Sequence, residues 1–314
     1  MELTVHAEEP EALRDAAFGW LTDGIREYDK QADLRMMPED VEVSVEGFSR
    51  AVDAVPWRSR GGPWGRVHVS PQGSFDVLYN PYTADALPWL ERHLSEQPES
   101  ASVRIGHVAE SGAVEAPDTS FCVSFEEEVP GYVKLGFHVG VPALVAPFTT
   151  IAEHEGLLAA VRWACDRYNM VFGHVSYRRS GGATELEGQL RGRPSDPVLN
   201  MPYWRTLLRG YSWLMVIPDS IAEVLGGSEA LRSTGAFASV AVLPNNAVLL
   251  QATPTFQQYD REAVKAVHRV VRDVLVQGEL RDPPSVPGPP TDLVVVPTPG
   301  AGTGAGRWSS LRTE

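Results

Sequence analysis

The sequence is short of cysteine, of lysine and of long apolar runs, and each shortage removes a class of function. Cys122 and Cys165 are the only two cysteines. They lie far apart without a C-x-x-C spacing, which excludes a disulfide framework and a thiolate metal site and predicts two reduced, buried thiols. No apolar run approaches the ~20 residues needed to span a bilayer. The longest, Trp213 to Pro218 and Ala236 to Pro244, have strand length. The acidic start, MELTVHAEEPEALRD, has no basic segment followed by an apolar one, so no secretory signal is expected and a cytoplasmic location is.

Positive charge is also scarce. Lys30, Lys134 and Lys265 are the only lysines, and the net charge is −14. Nucleic-acid binding draws its affinity from Lys and Arg on phosphates, so nucleic acid is not an expected partner, nor is an anionic membrane. A basic protein partner remains open.

What is present is a mixed pattern of strands and helices. Leu13, Ala16, Ala17, Trp20, Leu21, Ile25 and Tyr28 form one helical stripe over residues 10–28. Further helices are expected over 83–97, 154–168 and 260–276. Thr184 to Glu187 has the capping-box spacing that starts a short helix. Strands are expected at 3–7, 41–45, 65–70, 75–79, 102–108, 120–127, 132–139, 171–178, 210–217, 237–243 and 247–252, with 111–118 as a loop. Pro130-Gly131 and Pro244-Asn245-Asn246 sit where hairpins need turns. Hairpins outnumber parallel crossovers. The fold class that follows is α+β with largely antiparallel sheets and packed helices, in an arrangement compatible with two tandem split-βαβ-like units. The domains expected are 1–115, 116–280 and a Pro/Gly-rich tail, 281–314, within which Leu293 to Val296 can dock as an edge strand.

Local catalytic signals fail when tested. The run Gly300 to Gly306 has no strand before it, no helix after it and no Lys-Ser/Thr, so it is no phosphate loop. None of the eight histidines forms H-E-x-x-H, and His107 with Glu110 falls on opposite faces of a strand. Ser212 lacks the second glycine of G-x-S-x-G. No catalytic residue, metal or cofactor is expected. An enzyme would need a site assembled by the fold, such as His174 or His138 brought to Ser212 and a carboxylate.

Charge is distributed unevenly. Glu96, Glu99, Glu110, Glu115, Asp118, Glu126, Glu127 and Glu128 crowd a stretch whose one base is Arg104. If strand 120–127 runs on, Glu126 and Glu128 share one face with Ser124 while Glu127 shares the other with Phe125. Such a surface is either a solvated face or a docking surface for a basic partner, where charge complementarity speeds association and fixes register. Trp57 and Trp64 flank Arg58-Ser59-Arg60-Gly61-Gly62-Pro63 and supply candidate aromatic anchors, unless their rings pack onto the sheet. These ten residues are the expected partner-binding set.

Leu208-Arg209-Gly210-Tyr211-Ser212-Trp213 precedes a short helix ending at Leu225-Gly226-Gly227. Leu249-Leu250-Gln251-Ala252-Thr253-Pro254 and a last amphipathic helix follow. Over residues 120–280 this pattern resembles bacterial toxin-immunity proteins, including the type VI secretion immunity family and relatives from polymorphic-toxin loci. Where that family tends to carry a Gly-Asp pair after its last strand, this chain has Thr255 to Asp260. The resemblance implies a non-enzymatic cytoplasmic protein that neutralises a cognate toxin, a nuclease being one such partner. The alternatives are the hydrolase-like site described above and an assembly component that uses its tail.

Overall fold

The computed structural model describes residues 1–30, 62–108, 114–140, 151–176, 183–190, 201–278 and 294–295. In chain order the elements begin β1 (Glu2–His6), α1 (Pro10–Gly19), α2 (Ile25–Tyr28), β2 (Gly62–Ser70), β3 (Leu78–Pro81), α3 (Ala86–Leu94), β4 (Ser100–Val108), β5 (Val114–Phe125) and β6 (Tyr132–Gly140). They continue with α4 (Ile151–Arg167), β7 (Met170–Val175), α5 (Glu185–Gln189), β8 (Leu214–Ile217), α6 (Asp219–Val224), α7 (Gly227–Ser233), β9 (Ser239–Val242), β10 (Val248–Gln251) and α8 (Arg261–Val271). The chain is α+β, as expected. Its strands form two compact units, an inserted one, His6–Tyr168, and a flanking one, Met1–Val5 with Asn169–Glu314. The boundary expected near residue 115 is corrected. Glu115 lies within β5 opposite His107 of β4, so that division would cut a hydrogen-bonded sheet. The expected strand 41–45 lies outside the described residues, as does most of the tail.

The inserted unit orders its strands β3-β2-β4-β5-β6, all antiparallel. Period-two alternation places Val67, Val103, Phe121 and Phe137 in one row across four strands, and all four are buried. The helical stripe of α1 and α2 covers this face, joined by a π-helical turn over Trp20–Gly24. Trp20 Nε1 donates to the Gly136 carbonyl at 2.9 Å, and its ring lies 5.0 Å from that of Phe121. A Cβ on Gly136 would stand 2.3 Å from Cys122 Sγ, so glycine opposite Cys122 leaves the thiol its place. Neither cysteine is in a disulfide; Cys165 is buried and Cys122 half-buried. Burial pushes the Cys165 thiol up to about 12, which keeps it from reacting as a thiolate.

The flanking unit orders its strands β1-β7-β8-β10-β9, again antiparallel. Opposed residues share a face, so Glu2 with His174 and Thr4 with Phe172 project to one side, while Leu3, Val216 and Leu249 project to the other. Val264, Val267 and Val271 of α8 are buried, and Asp260 caps that helix by accepting from Glu262 N and Ala263 N, both at 3.0 Å. Gly226 and Gly227, at φ +92° and +82°, end α6 in the left-handed region that favours glycine. Leu208 N–H donates to the Val274 carbonyl and Val276 N–H to the Leu208 carbonyl, each at 2.8 Å. Among the described residues, no helix is long and apolar enough to cross a membrane.

Candidate functional site

The acidic stretch does not form one surface. β4 and β5 pair antiparallel, and this reversal sends its members to opposite ends of the inserted unit's sheet. Ser70, Ser100, Ser124 and Lys134 form the row at one end. Beyond that row lie Glu96, Glu99, Glu126, Glu127 and Glu128. Phe125 N–H donates to the Glu99 carbonyl at 3.1 Å, and Gln72 Nε2 reaches the Phe125 carbonyl at 3.4 Å, so three connecting segments converge there. Glu115 and Asp118 belong to the far part of β5, Asp118 lying seven positions before Phe125. At ~3.3 Å per residue that is ~23 Å. Glu110 lies outside the described residues.

The three glutamates also differ from the alternating strand expected of them. β5 stops at Phe125, and Val129 N–H closes a turn on the Glu126 carbonyl at 3.1 Å. Pro130 and Gly131, the latter at φ +89°, complete the reversal into β6. In a turn none of the three need face inward. Glu127 and Glu128 are exposed, and Glu126 pairs with Lys134 at 3.0 Å. Glu96 stands 3.6 Å from His93 Nδ1, while the carboxylates of Glu99, Glu127 and Glu128 have no ion pair among the described residues. The β2–β3 connection adds Asp76, half-exposed Val77 and Phe75, whose ring is wholly in solvent at 106% exposure. Phe75 went unnoticed in the sequence because a phenylalanine between Ser74 and Asp76 reads as the start of a strand.

Of the two tryptophan anchors, Trp57 lies outside the described residues. Trp64 is a correction. It sits in β2 at 1% exposure, with the guanidinium carbons of Arg104 and Arg66 5.5 and 5.9 Å from its ring centre. Stacked beneath two cations, it has no surface left to offer a partner.

The flanking unit holds its polar groups inside. Arg209 donates from Nε to Glu187 Oε1 at 2.9 Å and from Nη1 to Glu2 Oε1 at 2.5 Å, with its guanidinium 4.8 Å from the Phe172 ring. The expected capping box is formed and positions Glu187. Thr184 Oγ1 accepts from Glu187 N, and Thr184 N donates to Glu187 Oε2 at 2.7 Å. A Cβ on Gly210 would fall 1.9 Å from Thr184 Oγ1, so glycine after Arg209 lets the two segments meet. Burial pushes the Glu187 carboxyl up, against the pull of Arg209. His174 is buried on the same sheet face, and among the described residues neither its ring nitrogens nor Thr4 Oγ1 on that face has a hydrogen-bond partner. Burial, then the charge of Arg209, lowers the His174 pKa well below its usual value.

These facts weigh against the hydrolase reading. Ser212 Oγ donates to the Leu214 carbonyl at 2.8 Å, not to an imidazole, and neither ring nitrogen of His174 has a hydrogen-bond partner among the described residues. Among the described residues, the imidazole that the fold does bring to hydroxyls is His68, with Ser102 Oγ 3.1 Å from Nδ1 and Ser70 Oγ 3.4 Å from Nε2. The His68–Ser102 pair was not singled out in the sequence, since the two are 34 residues apart. Burial and then Arg66 lower the His68 pKa. A general base must become imidazolium, and a guanidinium beside it opposes that step. Among the described residues no cluster of His, Cys, Asp and Glu is arranged to hold a metal.

No family model matches the chain, and no curated protein or solved structure does either.

Proposed function

We propose that this protein is a non-enzymatic binding protein that neutralises a cognate toxin in the cytoplasm, docking a basic surface of that toxin on the acidic end of the inserted unit. One observation carries the reading. Glu99, Glu127 and Glu128, whose carboxylates have no ion pair among the described residues, lie on connections at the same end of the sheet as Asp76, Glu96 and the solvent-exposed ring of Phe75. Carboxylates alone would be a solvated rim. A large exposed apolar ring at the same end of the sheet adds the kind of anchor that dominates binding energy once a partner excludes water from it. A nuclease fits the charge, because an active site built to hold phosphates is basic. The immunity-protein resemblance of residues 120–280 supports the same reading.

Calorimetry against the toxin domain encoded beside this chain tests it. Wild-type protein should bind, and affinity should fall as salt rises. Glu99→Lys with Glu127→Lys and Glu128→Lys should weaken binding at least about tenfold and flatten the salt dependence. Phe75→Ala should slow nothing in association but speed dissociation. Binding that ignores these substitutions removes the surface from consideration, and absence of binding removes the toxin.

A further inference from the structure

On the face of the inserted sheet turned away from α1 and α2, polar side chains stand in rows. Arg66, Arg104, Ser120 and His138 lie directly opposite one another across β2, β4, β5 and β6. The neighbouring row holds His68, Ser102, Cys122 and Gly136. Neither row carries a carboxylate, in a chain whose net charge is −14. Asp118, two positions before Ser120, belongs to the row beyond. Two like charges directly opposite each other destabilise a strand pair, and Arg66 with Arg104 is such a pair. Their guanidinium carbons nonetheless converge on one ring, that of Trp64, at 5.9 and 5.5 Å from its centre. Trp64 is buried, and its Nε1, which can only donate, has no acceptor among the described residues. A buried donor without an acceptor carries a desolvation cost that a bound acceptor removes. Two cations beside an orphaned N–H call for one species that is both anionic and rich in acceptor oxygens. A carboxylate has two oxygens, which a single guanidinium fork saturates. A phosphate group offers at least three oxygens and up to two charges, enough for both guanidiniums and the indole together. The approach is from the β6 side, since Arg66 is buried, Arg104 and Ser120 are half-buried and His138 is exposed.

We propose that Trp64 Nε1, Arg66 and Arg104 form a binding site for a phosphate group on the outer face of the inserted sheet. The indole holds both guanidiniums by cation–π contact, and the Tyr79 ring, 5.2 Å from the Arg66 guanidinium, holds one of them again. His68 stays outside the charge balance. Ser102 Oγ and Ser70 Oγ lie within hydrogen-bond reach of its two nitrogens, and burial together with Arg66 favours its neutral form. The site is distinct from the acidic end of the sheet. Arg66 lies four positions before Ser70, whose row borders that end, which is ~13 Å along β2.

The probes are inorganic phosphate and phenyl phosphate, titrated separately into full-length protein with isotopically labelled tryptophan at constant ionic strength. The Trp64 indole N–H resonance, assigned by its loss in Trp64→Phe, should move as the site fills. Movement with both probes supports a site that a free phosphate ion satisfies. Movement with phenyl phosphate alone supports a site for a phosphorylated molecule. By calorimetry, Arg104→Gln should weaken binding at least about tenfold, the worth of a hydrogen bond to a charged group. Trp64→Phe keeps the ring and loses only the donor, and should weaken binding about fivefold. Should Arg104→Gln fail to fold, Ser120→Asp sets a carboxylate opposite Arg104 at a half-buried position and should abolish binding. A Trp64 resonance unmoved by a large excess of either probe overturns the proposal. So does unchanged affinity in a folded Arg104→Gln or in Ser120→Asp. Acetate binding as tightly as phosphate overturns the phosphate group as the ligand.

Discussion

The two units solve the same problem, covering a five-stranded antiparallel sheet, with opposite chemistry. The inserted unit buries aromatic and aliphatic side chains, Trp20, Phe121, Phe137, Leu90 and Leu94 among them, and its described buried polar groups, Thr22, Arg66, Thr119 and His154, include no carboxylate. The flanking unit buries Glu2, Glu187, Arg209, His174, Thr184 and Ser212 together with its apolar core. Apolar packing is forgiving of direction and indifferent to pH, whereas buried charge demands a specific partner at a specific place. The first arrangement leaves the surface free for binding. The second pins β1, α5 and the segment before β8 to one register, at the risk of failure if any member is lost.

Removing the cation breaks this contrast most severely. Arg209→Ala leaves Glu2 and Glu187 buried without a counter-charge, and urea denaturation should show the flanking unit destabilised by about 3–5 kcal/mol. Arg209→Met combined with Glu2→Gln and Glu187→Gln should lose much less, since no charge is then stranded. If the triple variant is as unstable as the single one, the network contributes by packing and the contrast between the units dissolves. In the inserted unit the corresponding cut is Leu90→Ala. Leu90 is fully buried on α3 against β2, and a cavity there costs about 3 kcal/mol. That loss should be the same at pH 5 and pH 8.

Periodicity made most of the inserted unit legible. The stripe from Leu13 to Ile25 and the alternation through Val103, Phe121 and Phe137 are each set by one face of one element, which sequence spacing reports directly. The capping box at Thr184 was readable for the same reason, being local. Strand pairing was not. The acidic stretch looked contiguous because residues 96–128 are contiguous, and only the β4–β5 register shows that Asp118 and Glu127 sit at opposite ends. Nothing near Glu2 indicates Arg209, 207 residues away, and nothing near Tyr211 indicates Val295. Pairings over such separations are chosen by the fold, and a single sequence carries no trace of them. Trp64 misled for a simpler reason, since the glycines before it suggested a loop where β2 begins at Gly62.

The smallest expected effect separates the units by pH alone. His174 faces Glu2 across β1, Met215 across β8, the ring of Phe172 at 5.5 Å and the guanidinium of Arg209, whose charge opposes a second cation. Its folded-state pKa therefore lies well below the 6.5 of the unfolded chain. Between those two values the unfolded state binds a proton that the folded state refuses, so stability rises with pH through that window. The contribution is complete above pH 6.5 and is lost as pH falls below it. Glu187 acts in the other sense, its raised pKa making the folded state the better proton binder just above 4.5, so wild type alone cannot isolate the imidazole. His174→Met can, because it keeps the carboxylates and removes only the histidine. The stability of wild type minus that of the variant should stay flat from pH 8 to 6.5 and then fall towards pH 5. A difference that remains flat throughout means the folded state accommodates imidazolium, and the polar interior of the flanking unit is then open to water rather than sealed from it.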